Sequence, residues 1–234
     1  MKLIFGSGQP LITGGLLKSI KINLPSLPEQ QKIASFLSAV DEKIQLLNRK
    51  KELLEDYKKG IMQKLFPKKA GQSPELRFKR PDGSNFPDWE EKKLGEVAER
   101  VTQKNKVDNQ NVLTISAQQG LVSQLEYFNK SVSAANLTGY YLLSKNDFAY
   151  NKSYSNGYPM GAIKRLNLYN SGVVSTLYIC FRFNNDVNLS FMEQYFEYGL
   201  HIVEFEKGAQ EGARNHGLLN IGVNDFFAIN LQLP

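Results

Sequence analysis

Residues 28–66 read PEQQKIASFLSAVDEKIQLLNRKKELLEDYKKGIMQKLF, and this stretch decides the architecture. It has no proline after Pro28, and its one glycine is Gly60. Apolar positions recur every seven residues in two rows: Ile33, Val40, Leu47, Leu54 and Ile61 form one, and Leu37, Ile44, Lys51, Lys58 and Leu65 the other. A heptad repeat of this kind predicts one long helix over 28–66 with a coiled-coil seam. At 1.5 Å per residue, the span from Ile33 to Leu65 makes a rod of roughly 50 Å. Alone, such a helix buries none of its stripe. Each Leu or Ile taken out of water contributes about 1.5–3 kcal/mol, so the seam calls for a partner helix of similar length. The pairing positions are Ile33, Leu37, Val40, Ile44, Leu47, Leu54, Ile61 and Leu65, while Lys51 and Lys58 weaken the seam locally and help to set partner or register.

Beyond the helix the composition changes. Residues 67–85 are punctuated by Pro67, Pro74 and Pro81 and charged by Lys68, Lys69, Arg77, Lys79 and Arg80, the pattern of a basic linker. Residues 86–234 show short β-like runs, Val112–Ile115, Phe148–Tyr150, Val173-Val174 and Leu177–Phe183, separated by Gly, Asn and Ser. One helix is expected among them: Ser190 to Glu193 has capping-box spacing, Phe191 and Tyr195 share a face, and Gly199 ends it. The expected fold class is α+β, a mixed α/β domain over 86–234 preceded by one long coiled-coil helix.

The chain has 234 residues, 41% of them hydrophobic, which is ample for a core and argues against disorder. Nowhere do 18 apolar residues run together, and Met1–Phe5 is broken by Gly6, Gly8 and Pro10, so no membrane segment and a cytoplasmic location are expected. A single cysteine, Cys180, rules out an intrachain disulfide framework, and with His201 and His216 beside it there is no zinc-ligand spacing.

An internal echo adds information that no single motif carries. Residues 11–24, LITGGLLKSIKINL, align without gaps on 218–231, LLNIGVNDFFAINL, so that Leu11/Leu218, Gly15/Gly222 and the two Ile-Asn-Leu triplets coincide. The first copy leads into the long helix, and the second stops where an equivalent helix is expected to start. The chain thus reads as a window on a longer domain, helix, domain, helix arrangement.

These residues resemble the specificity subunit of a type I restriction-modification enzyme. That family's Ile-x-Leu-Pro-x-Leu-x-Glu-Gln-x-x-Ile join is similar to Ile22–Ile33, with one shift in spacing. The opening of its target recognition domain resembles Trp89–Val97, and a third match runs over Asp147–Tyr154, followed by Gly161-Ala162-Ile163 and Gly172–Ser175. The resemblance implies a non-catalytic subunit in which two recognition domains, spaced by two antiparallel helices, each read half of a bipartite site in double-stranded DNA. It implies partners too: methyltransferase subunits carrying S-adenosylmethionine, and through the complex a restriction and translocase subunit using ATP and Mg²⁺. No cofactor is expected on this chain itself. The implied layout is the tail of a first recognition domain over 1–27, one conserved helix over 28–66, and one complete recognition domain over 86–234. Two copies are expected to pair their helices antiparallel and read a two-fold-symmetric split site.

Independently of the family, reading DNA needs cations for phosphates and fork-shaped side chains for base edges. Residues 140–183 supply Lys145, Lys152, Lys164, Arg165 and Arg182 against Asp147 alone, interleaved with Tyr140, Tyr141, Tyr150, Tyr154, Tyr158 and Tyr169. The loop Lys152, Ser153, Tyr154, Ser155, Asn156 and Tyr158 is the leading candidate, with Lys152 for a phosphate and Asn156 for an adenine edge; Lys164 and Arg165 follow it. The plainer reading makes these tyrosines half-buried strand residues and Lys152 a surface cation. Gln118 and Gln119 on a turn, Arg214 and Asn215 between glycines, and Lys104 in a polar loop complete the candidates. A solvated turn or charge cluster accounts for each of these equally simply, and His216 is as well suited to a local carbonyl as to DNA.

No catalytic or metal constellation is expected. Asp82 with Glu90, Glu91 and Lys92 has the letters of a metal-dependent nuclease, but Asp82 sits in a Pro/Gly stretch that cannot position it rigidly. Gly6 and Gly8 lack the strand and helix of a dinucleotide loop, and Cys180 sits between Ile179 and Phe181 as a small core residue. A protein-interaction adaptor, with the coil as its function, is the alternative. The net charge of +6 is unevenly placed: residues 1–84 hold 16 basic and 8 acidic side chains, and residues 85–234 hold 13 and 15. The excess therefore lies in the helix and linker, and base reading is left to a few placed side chains.

Overall fold

The structure is a computed structural model that describes residues 14–68, 71–129, 136–155, 157–209 and 221–234. It divides into two compact units, Met1–Lys58 and Lys59–Pro234.

The first unit contains α1 (Gly14–Lys18) and most of α2 (Leu27–Leu65), an unbroken helix of 39 residues. The helix starts one residue before the expected Pro28. Proline's missing N–H costs nothing in the first turn, where backbone donors have no intrahelical partner. Gln30 fastens this end, its Nε2 donating to the Pro25 carbonyl at 2.7 Å and its N–H to Ser26 O at 2.9 Å. Glu29 in the first turn and Lys64 in the last complement the helix dipole. Arg49–Glu52 and Lys51–Glu55 pair along its surface. Ile33, Phe36, Leu37, Val40, Ile44, Leu47 and Leu54 are all exposed in the chain by itself, as are Leu46, Leu53 and Tyr57.

The second unit begins inside the helix, because the last turns already belong to its core. Met62 and Phe66 are buried, and the Phe66 ring lies 5.6–6.1 Å from the rings of Trp89, Phe191, Tyr195 and Tyr198. The stretch expected as a linker is pinned down. Leu76 N–H donates to Lys64 O at 2.9 Å, Pro74 is buried, and Arg77 donates to the Phe86 and Pro87 carbonyls while pairing with Asp88 at 3.1 Å. Composition alone suggested a spacer here; one arginine satisfying three acceptors turns it into a folded turn.

Along the chain then come β1 (Glu90–Lys93), α3 (Leu94–Val97), β2 (Ala98–Arg100), β3 (Leu113–Ser116), β4 (Gly120–Ser123), α4 (Gln124–Phe128), β5 (Tyr141–Ser144), β6 (Phe148–Asn151), β7 (Ala162–Arg165), β8 (Ser171–Val174), β9 (Ile179–Phe183), α5 (Leu189–Tyr198), α6 (Ile202–Ala209), α7 (Val223–Ala228) and β10 (Asn230–Leu233). A four-stranded antiparallel sheet, β2-β9-β6-β7, forms the centre, and β1-β10, β3-β4 and β5-β8 pair around it. The fold class is α+β. Strand alternation puts a core on each face of the central sheet. Phe148, Tyr150, Phe181 and Phe183 meet Phe196, Phe205 and Phe226 from the helices, while Ala149 and Cys180 face Val101, Leu113, Leu121, Leu143, Leu166 and Val174.

The expected helix is α5, ended by Gly199 in the left-handed region at φ 83°. Its cap differs from the expected box: the Asn188 side chain accepts from Phe191 N–H at 3.0 Å, leaving Ser190 inside the first turn. Helices α3, α4, α6 and α7 were not expected; three of them are six residues or shorter, and burial of Leu94 and Val97 in α3 and of Phe226 in α7 holds two of these in shape. In the echoed segments a short helix lies beside each matched glycine. Ile229-Asn230-Leu231 then enters β10 against β1, whereas Ile22 and Leu24 of the first copy are exposed and outside any strand.

Candidate nucleic-acid interface

Strand pairing sorts the cations expected in residues 140–183 into two groups. At one end of the central sheet Asp147 enters β6, fully buried, and accepts from Arg182 Nε at 2.6 Å, Arg182 Nη2 at 2.9 Å and Ser144 N–H at 2.8 Å. Arg165 on β7 donates to Asn146 Oδ1 at 2.6 and 3.2 Å and to Ser190 Oγ, and pairs with Glu193 of α5 at 3.5 Å. Lys164 pairs with Glu197 at 2.5 Å, donates to the Tyr158 hydroxyl at 2.8 Å and lies 4.4 Å from the centre of that ring. Tyr158 in turn donates to Glu197. Burial first, then the Glu197 carboxylate, pushes the Tyr158 hydroxyl upward, so it remains a donor. Three of the five cations are therefore matched by acids. Glu193 and Glu197 stand four residues apart on one helical face, a spacing that could have marked them as a clamp.

The other end of the sheet carries the β6–β7 loop. The Tyr150 hydroxyl donates to Met160 O at 2.9 Å, Asn151 Oδ1 accepts from Ser153 N–H at 3.1 Å, and Ser155 and Tyr158 bridge each other across a tight turn with Gly157 at φ 82°. Gly161 closes the loop at φ 77°, where an added Cβ would lie 2.2 Å from Asn151 O, so no other residue fits. Tyr154 is 66% exposed at the rim. Lys152 Nζ donates to Ile221 O at 2.6 Å; burial, and then the charge of Arg100, disfavour its protonated form. Asn156, Arg214, Asn215 and His216 lie outside the described residues.

The remaining candidates are dispersed. Gln118 and Gln119 are exposed on the β3–β4 turn, where Gln119 N–H donates to Ser116 Oγ at 3.2 Å. Thr114 of that hairpin meets the Tyr178 hydroxyl at 3.5 Å. Lys104 Nζ donates to Gly139 O at 2.7 Å and lies 4.2 Å from the Tyr141 ring centre. Arg100, at the end of β2, was not singled out from sequence, because an arginine closing a three-residue strand has no local signature. Cys180 is buried, its thiol pushed up to about 12 mainly by burial. Asp82 is exposed and held by Ser84, and Glu90 pairs with Lys92 at 3.2 Å. Among the described residues no three His, Cys, Asp or Glu side chains gather as a metal site. No helix among them is long and apolar enough to cross a membrane.

Residues 1–56 match the family described as Type I restriction modification DNA specificity domain. That family match is confined to the segment that leads into α2 and most of the helix itself. Over 95 residues the chain is 41% identical to the Type I restriction enzyme MjaVIII specificity subunit of Methanocaldococcus jannaschii, which covers 40% of this chain and 22% of that one. Over 80 residues it is 44% identical to the Putative type I restriction enzyme MjaX specificity subunit of the same organism, covering 34% and 18%. The matched stretches thus span about a fifth of these type I specificity subunits. The crystal structure of the HsdS subunit from Thermoanaerobacter tengcongensis aligns with 99% of this chain and 53% of its own, at 17% identity and a TM-score of 0.45. A structure described under complex assembly and conformational transition of the type I R-M system aligns over 98% and 53%, at 16% identity and a TM-score of 0.48.

Proposed function

We propose that this chain is a non-catalytic, sequence-specific DNA-binding specificity subunit of a type I restriction-modification system, or a part of one. The observation that carries the reading is the 41% identity to a type I specificity subunit, together with the family match over the segment entering the long helix. The domain after the helix reads one half of a bipartite site. Its β6–β7 loop is the reading element: Ser153, Tyr154 and Ser155 occupy the rim, Lys152 lies at its base, and Gln118, Gln119 and Lys104 contribute from neighbouring turns. Tyr158, Lys164 and Arg165 hold that loop to α5. The exposed heptad face of α2 supports a second role, docking a partner helix and methyltransferase subunits, through which the restriction subunit is recruited. Two copies pair antiparallel through Ile33, Leu37, Val40, Ile44, Leu47 and Leu54, whose side chains are exposed on α2.

The test is selection from a pool of randomised duplexes by the purified chain, alone and with the methyltransferase subunit. Recovery of one short sequence, or of two copies as an inverted repeat with fixed spacing, is the expected result. Binding that is blind to sequence and vanishes at moderate salt overturns it.

A further inference from the structure

The exposed apolar side chains of α2 are more than its seam accounts for. Outside the two seam rows, Phe36, Leu46, Leu53 and Tyr57 are each 52–69% exposed. Phe36 and Tyr57 stand three heptads apart, with Lys43 and Lys50 between them in the same row. Ala39, Leu46 and Leu53 form the next row, each three residues on from Phe36, Lys43 or Lys50. Residues three, four and seven apart share a helical face, so these two rows make a second stripe that runs beside the seam for about 32 Å. A helix packed on the seam covers the two seam rows and the flanks next to them. Leu46 and Leu53 lie one row beyond the flank that holds Phe36, out of its reach.

Charge divides along the same line. Between Phe36 and Tyr57 the acids are Asp41, Glu42, Glu52, Glu55 and Asp56, and all fall outside both the seam and this stripe. Arg49 pairs with Glu52, and Glu55 reaches Lys51 at 3.7 Å. Among the described residues Lys43 and Lys50 take part in no ion pair. Their neighbours one turn away are Ala39, Val40, Leu46, Leu47, Leu53 and Leu54, so neither has a carboxylate of α2 beside it.

We propose that the stripe of Phe36, Leu46, Leu53 and Tyr57 seats an amphipathic helix of a different polypeptide, whose carboxylates pair with Lys43 and Lys50. This rests on the docking role proposed above for α2, and it separates the surface that takes a partner subunit from the seam that takes a partner helix. The repeat argues for a helix, because another helix is the element that meets side chains recurring every seven residues over this length. The lysines argue against a second copy of this chain. Laid on itself in either direction, the stripe presents cations and apolar side chains to each other, with no acid to meet Lys43 or Lys50. Nucleic acid suits the lysines but leaves the leucines in water.

The experiment titrates the full chain with purified methyltransferase subunit, and follows self-association of the chain alone by light scattering. Two double variants, Leu46→Ser with Leu53→Ser and Lys43→Glu with Lys50→Glu, change exposed side chains and should melt like wild type. The serine pair is expected to weaken subunit binding by about a hundredfold, as loss of two buried leucines does. The glutamate pair should weaken it by about tenfold, with less loss at high salt. Self-association should be unchanged in both. Unchanged subunit binding in both variants overturns the second stripe and leaves the docking role of α2 standing. Loss of self-association in the serine pair gives the stripe to a second copy and overturns the assignment. Weaker duplex binding in the glutamate pair, with subunit binding intact, gives the lysines to DNA phosphates and overturns it too. A wild-type chain that binds no methyltransferase subunit overturns the docking role and the assignment together.

Discussion

Asp147, buried at the entry to β6, is gripped by Arg182 through two parallel hydrogen bonds at 2.6 and 2.9 Å. A fork of this geometry is specific to arginine and binds the start of β6 to the C-terminal end of β9. Arg182 is thereby a structural cation. Arg182→Ala should destabilise the domain by about 1–3 kcal/mol in urea unfolding, since it strands a buried carboxylate, and Arg182→Lys should recover only part of that loss. DNA affinity per folded molecule should be unchanged.

Glu197 accepts from both Tyr158 and Lys164 and so ties the far end of the β6–β7 loop to α5. Because the carboxylate is partly exposed, Glu197→Gln should cost no more than about 1 kcal/mol of global stability. Its expected signature is local, with faster amide exchange over 152–161 and little change in the Phe148–Phe181 core. Unchanged exchange in that loop would mean that the clamp does not order it.

His201 is buried between the Phe196 and Phe205 rings, and neither of its ring nitrogens has a hydrogen-bond partner. Burial depresses it to about 3. Its folded value lies below the unfolded one, so the unfolded chain binds the extra proton. Stability is therefore complete above about pH 6.5 and falls as pH drops toward 3, by up to about 1.4 kcal/mol per pH unit. His201→Phe should flatten the denaturation midpoint between pH 4 and 6 relative to wild type. It should also raise stability at pH 7, because two unsatisfied nitrogens are removed from an aromatic core.

Gly161→Ala places a methyl group against Asn151 O in a backbone region closed to other residues. A loss of about 2–4 kcal/mol is expected, measured by thermal or urea unfolding. Gly157→Ala, which has open space around it at a similar φ, should cost less.

On the exposed face of α2, Ile44→Glu combined with Leu47→Glu should convert a helix-paired dimer to monomer by light scattering, without moving the melting of residues 59–234. A wild-type chain that is already monomeric would overturn the pairing.

Much of this architecture was legible in local pattern. The heptad spacing of Ile33 to Leu65 marks a helix because side chains repeat on one face only with that period, and the observed α2 agrees to within one residue at each end. Gly199 marks the end of α5 because few other residues tolerate its left-handed backbone. The run Ile179 to Phe183 reads as a strand because β-branched and aromatic residues suit a pleated surface, and it is buried at all but Arg182 because each face of the sheet carries a core.

Tertiary structure alone decided which charges remain free. In sequence, Lys145, Lys152, Lys164, Arg165 and Arg182 look alike, all facing a single nearby acid. Folding brings Glu193 and Glu197 from a helix about thirty residues downstream onto Arg165 and Lys164, and closes Asp147 onto Arg182. Local periodicity is a property of neighbours in the chain and can be read directly. Charge neutralisation is a property of neighbours in space, and strand order and register determine which residues those are.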